Sequence, residues 1–164
     1  MLDALIAKFR DFVDDVAPSQ EVLAQREALA LQRACCGLLM EVARLDSAGA
    51  EGKRKAVSLA MRELFDIQND ELGPMIEAAG RQENRLTSYF RPVALINKRY
   101  SYEQKARFVE LLWRVAMADG KIDMYEDQAV RKVADLLYVA HSDFILAKRR
   151  VQKDSKDTTL QPGG

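Results

Sequence analysis

The run Leu38-Leu39-Met40-Glu41-Val42-Ala43-Arg44-Leu45-Asp46 returns later in the chain as Leu111-Leu112-Trp113-Arg114-Val115-Ala116-Met117-Ala118-Asp119. An offset of 73 superposes the chain on itself without a gap from Cys36 to Leu72. Nine pairs are identical: Leu38/Leu111, Leu39/Leu112, Val42/Val115, Ala43/Ala116, Asp46/Asp119, Ala56/Ala129, Val57/Val130, Leu64/Leu137 and Asp70/Asp143. Chance in so Ala- and Leu-rich a sequence would give roughly three, so one supersecondary unit is written twice.

Outward from this repeat, helical periodicity dominates and no convincing strand emerges. Leu2, Leu5, Ile6, Phe9, Phe12, Val13 and Val16 form one stripe at helical spacing. Pro18 ends that helix, and Ser19 can cap a second, long one from about Gln20 to about Leu45. A third helix spans roughly Gly52 to Phe65. Asp70 is the expected cap of a fourth, with Pro74 in its first turn. Between Gln82 and Tyr100 the apolar residues suggest helix, but Pro92 must break, kink or restart it. Ser101, with Gln104 three residues on, forms a capping box for a strong helix carrying Phe108, Val109, Leu112, Trp113, Val115 and Ala116. The next helix runs from about Met124 to Tyr138, and His141 or Ser142 begins the last.

The expected fold is therefore all-α, a bundle of about seven to eight helices built from two similar three-helix repeats. Residues 1–17 form an N-terminal amphipathic helix. Residues 18–152 form the helical domain, with repeats at about 31–80 and 104–152. Residues 153–164, polar and ending in Pro-Gly-Gly, read as a disordered tail.

At 164 residues the chain can bury a real core. Twenty-five Lys and Arg balance twenty-five Asp and Glu, so no general pull toward nucleic acid or acidic membranes is expected. Asp3, Asp11, Asp14 and Asp15 interrupt any signal-peptide core. No apolar run approaches the ~20 residues of a membrane span. The expected setting is the cytoplasm.

One loop carries candidate chemistry: Ala118-Asp119-Gly120-Lys121-Ile122-Asp123-Met124-Tyr125-Glu126-Asp127. Hard cations such as Ca²⁺ and Mg²⁺ take several oxygen ligands, and Asp119, Asp123 and Glu126 could converge as metal ligands because Gly120 permits a sharp reversal. Capping accounts for the same residues with fewer assumptions. Gly120 sits just past a helix end, Asp123 caps the next helix, and Glu126 completes a capping box. Ile122 packs between the helices, and Asp119 bonds loop amides. An EF-hand is excluded by counting: with Asp119 first, the glycine position falls on Met124 and the glutamate position on Val130. In the first copy the counterparts of Asp123, Glu126 and Asp127 are Ala50, Lys53 and Arg54. Any ion site therefore belongs to the second copy, and no cofactor is expected beyond a weak Ca²⁺ or Mg²⁺.

His141 is the lone histidine, so no His-based zinc cluster exists. Cys35 and Cys36 align with Phe108 and Val109, which makes buried packing the better reading than redox chemistry. No nucleophile triad, phosphate-cradling loop or paired catalytic carboxylate stands out, so no enzyme is expected. Lys148, Arg149, Arg150 and Lys153 suit a helix C-terminus on dipole grounds. Four aspartates against Lys8 and Arg10 turn the first helix away from anionic lipid and toward the protein's own body or a protein partner.

The segment Leu112 to Asp123 with its Ala-Asp-Gly turn, followed by Glu126 and the Leu136-Leu137 pair, resembles the hallmark of the TerB-like family, named for bacterial tellurite-resistance protein B. The likeness extends over roughly Leu31 to Val151 and is greatest for small stand-alone bacterial members. It implies an all-helical fold, a cytoplasmic or membrane-associated scaffold role, and acidic ion-binding positions at Asp119, Asp123 and Glu126. Fold and family name do not fix function, so tellurite resistance does not follow from them.

Overall fold

The computed structural model describes residues 1–43 and 50–159. The described residues form eight α-helices and one short 3₁₀ turn, with no strand: α1 (Leu2–Val16), α2 (Gln20–Ala43), α3 (Ala50–Leu64), α4 (Asn69–Gly80), the turn at Gln82–Asn84, α5 (Phe90–Arg99), α6 (Tyr102–Ala116), α7 (Met124–Leu136) and α8 (His141–Thr159). The all-helical expectation holds. The first repeat's loop around Asp46 lies outside the described residues.

The chain divides into two compact units, Met1–Ala30 and a second beginning at Leu31. The boundary between these units falls inside α2, whose buried residues begin at Cys35. In the first unit α1 buries none of its residues, and Leu2, Leu5, Phe9, Phe12 and Val16 are all exposed. Ala17 closes α1 in extended geometry (φ −67°, ψ 133°), the conformation that a following proline imposes. The Ser19 hydroxyl accepts the amide of Val22 at 3.2 Å, which caps α2.

The second unit holds the core. The last turns of α2 bury Cys35, Cys36, Leu38, Leu39, Met40, Val42 and Ala43, and α6 buries Phe108, Val109, Leu111, Leu112, Trp113, Val115 and Ala116. The identical pairs of the repeat thus return as core: both members of Leu38/Leu111, Leu39/Leu112, Val42/Val115, Ala43/Ala116 and Val57/Val130 are buried. α6 packs against α3, α7 and α8. Trp113, fully buried, donates its indole N–H to the Phe144 carbonyl at 3.3 Å and lies 5.1 Å from the Phe144 ring centroid. Apolar area and a satisfied polar tip meet in one residue.

Two element ends, the start of α4 and the end of α8, differ from the sequence reading. α4 is capped at Gln68 without a side-chain bond, and Asp70 lies inside the first turn. Pro74 therefore sits a full turn in, where its missing N–H leaves the Asp70 carbonyl without its helical donor. Pro92 restarts rather than kinks: α5 begins at Phe90, so Pro92 occupies a first-turn position that has no helical acceptor to lose. α8 continues past Lys153 to Thr159, where the hydroxyls of Thr158 and Thr159 each donate to the carbonyl four residues back. The polar stretch from Lys153 that reads as a tail is helical that far.

Candidate functional site

α6 ends at Ala116, and the chain reverses through Gly120, whose φ of +96° is left-handed and whose amide donates to the Met117 carbonyl at 2.9 Å. Glycine is the residue that takes this geometry without a Cβ penalty. Asp119 Oδ1 accepts the Lys121 amide at 3.3 Å. Asp123 caps α7: its Oδ1 accepts the Glu126 amide at 2.7 Å, while Glu126 Oε1 accepts the Asp123 amide at 3.3 Å. The capping box read from the sequence is present. Ile122 packs partly buried against the core.

Burial separates these carboxylates. Asp119 keeps some solvent access, whereas Glu126 is 1 % exposed. Burial pushes the Glu126 carboxyl up to about 7 against the pull of the Asp123 amide and of Lys53. Asp123 moves the other way, held below its ordinary value chiefly by the Glu126 amide.

The residue that sequence reasoning did not place here is Lys53. It lies in the first turns of α3, is buried, and brings its Nζ to 3.8 Å from Asp119 Oδ2 and 3.7 Å from Glu126 Oε1. Lys53 and Glu126 are counterparts at the offset of 73, so a base from one copy meets the acid that holds its own position in the other. The signal was present as a charge reversal at that aligned position, but nothing in one dimension says that counterparts touch. Gly52 lies close by: a Cβ there would stand 3.7 Å from the Ala118 carbonyl, so the start of α3 runs against the end of α6. A second polar cluster also escaped the sequence. Glu41 Oε1 accepts from Tyr125 Oη at 2.9 Å and from Arg85 at 3.2 Å, tying α2, the linker before α5 and α7 together.

The three candidate ligands are thus engaged by protein donors: Asp119 by the Lys121 amide and Lys53, Asp123 by the Glu126 amide, Glu126 by the Asp123 amide and Lys53. Among the described residues no group of three or more His, Cys, Asp and Glu side chains is placed to hold a metal ion. As arranged, the loop fits a capping junction better than a divalent-cation cage. Elsewhere, burial pushes the Cys35 and Cys36 thiols up to about 12, which keeps them protonated. His141 opens α8 with its ring 5.7 Å from that of Phe144. An open groove of about 340 Å³ beside Gly120 is lined by Arg114, Met117, Val151, Asp154, Ser155 and Thr158 among others.

No helix among the described residues is long and apolar enough to cross a membrane. The family model described as tellurite resistance protein TerB matches residues 32–149. No curated protein and no solved structure matches the chain.

Proposed function

The chain belongs to the TerB family, and from that premise we propose that it is a non-enzymatic helical interaction module, acting in the cytoplasm as a scaffold component of a stress response of the tellurite-resistance type. The observation that carries this reading is the exposed stripe of α1, where Leu2, Leu5, Ile6, Phe9, Phe12, Val13 and Val16 all face solvent. A 15-residue helix is marginal alone in water, and an apolar face of this size normally has an occupant. The occupant proposed is a protein whose apolar groove is rimmed by basic side chains, complementary to Asp3, Asp11, Asp14 and Asp15. Only Lys8 and Arg10 offset those four acids along the helix, which disfavours an anionic membrane surface.

Affinity capture with the full chain, beside a Phe9→Asp/Phe12→Asp variant, tests the proposal. A specific partner held by the wild type and lost by the variant, with unchanged helicity, is the expected result. A wild type that stays monodisperse and recovers nothing above the variant's background overturns it.

A further inference from the structure

We infer that Lys53 is a tethered cation that fills the acidic loop between α6 and α7, and that this side chain decides whether a divalent cation binds there. The ammonium stands 3.7 and 3.8 Å from two carboxylates of the other repeat, so one point in space is already shared by Asp119 and Glu126. Lys53 itself is only 6 % exposed, and Glu126 only 1 %. A buried cation of this kind is held by its partners, because its solvation is gone. Its placement in the first turns of α3 is unfavourable to that helix's own dipole. The neighbouring C-terminal end of α6 and the two acids supply the compensation.

The charge count follows. With Glu126 ionised, as above its raised value of about 7, Asp119 and Glu126 set two negative charges against one ammonium, while Asp123 faces the positive end of α7. An ion at the ammonium's position would require each carboxylate oxygen to close by about 1.3 Å to reach Ca²⁺–oxygen distance. Ca²⁺ and an ammonium cannot occupy that point together, since like charges at contact repel strongly in a site of low dielectric. One further atom points the same way: Glu126 Oε2 is buried and accepts no hydrogen bond. The site thus holds an unused oxygen, and what bars a divalent ion is the occupant. The first copy's charge reversal at Lys53 closes the second copy's loop.

The test uses the full chain at pH 8, with Ca²⁺ and Mg²⁺ titrated calorimetrically and by thermal shift against EDTA. Wild type and Lys53→Arg should give no heat and no shift at millimolar ion. Lys53→Ala, which removes the charge and opens room for ion and water, should lose several degrees of Tm in EDTA. It should recover them with Ca²⁺ at a Kd of roughly 10⁻⁴ to 10⁻³ M, the range of weak oxygen-ligand sites. Adding Glu126→Gln should abolish that recovery. Wild type binding Ca²⁺ as tightly as Lys53→Ala overturns the inference, as does Ca²⁺ binding by Lys53→Arg. A folded Lys53→Ala that ignores the ion, or one that stays unfolded with and without it, overturns it as well.

Discussion

Glu126 performs two jobs that pull against each other. Its backbone and one carboxylate oxygen complete the cap of α7, and its burial disfavours the charge that Lys53 needs opposite it. Its carboxyl rises from the ordinary 4.5 to about 7 on folding, so between those values the folded chain holds a proton that the unfolded chain has released. Stability from this group is complete below about pH 4.5 and is lost as pH rises toward 7, by about 3 kcal/mol. The downward shift of Asp123 acts with opposite sign in a more acidic window: its contribution is present above its ordinary 3.8 and lost as pH falls. Urea unfolding from pH 5 to 8 should therefore show wild-type stability falling across that range. Glu126→Gln keeps the cap acceptor and should flatten the slope. At this scale the sequence was legible for Gly120, Asp123 and Glu126, because capping is local chemistry within three residues. It was not legible for Lys53, whose partners lie more than sixty residues away.

Element ends show the same division. Ser101 with Gln104 and Asp123 with Glu126 both form the boxes their spacing implies. Asp70 does not cap α4, because α4 begins two residues earlier than a cap at Asp70 requires. The turn after α7 held no signal that could be read. Tyr138 adopts φ +58° there, and the Val139 amide reaches back to the Ala134 carbonyl at 3.0 Å, a left-handed helix ending that usually falls to glycine. Tyr138 is 79 % exposed, so its ring contributes little packing. Tyr138→Gly should raise stability by about 0.5–1 kcal/mol, since relief of left-handed strain exceeds the entropy glycine adds to the unfolded chain. Denaturant midpoints at constant slope would show it, and a midpoint that falls would contradict the strain argument.

For the molecule as a whole, the duplication is what made the fold readable. Matched apolar positions pointed to matched helices, and the buried pairs Leu38/Leu111 and Val57/Val130 bear this out. Positions without a matched identity still hold the heaviest packing: Trp113, opposite Met40 in the alignment, joins α6 to α8 through Phe144. Trp113→Ala should cost about 3–5 kcal/mol, through lost apolar area and the cavity left behind. Calorimetric unfolding would measure it, and a cost below 1 kcal/mol would mean the core closes without it. The polar junctions were beyond sequence because they depend on which helices become neighbours. Lys53–Glu126 and Glu41–Tyr125 each join distant elements at a point that no local pattern marks.

The most direct test of this account is a double-mutant cycle on unfolding free energy at pH 8 with Lys53→Met and Glu126→Gln. Lys53→Met leaves the buried Glu126 without its cation and Glu126→Gln leaves Lys53 with Asp119 alone, whereas the double substitution removes both buried charges of that pair. The expected coupling is about 1.5–3 kcal/mol, with the double variant more stable than the sum of the singles implies. Additivity to within about 0.3–0.5 kcal/mol would contradict the claim that a lysine of one repeat closes the acidic loop of the other.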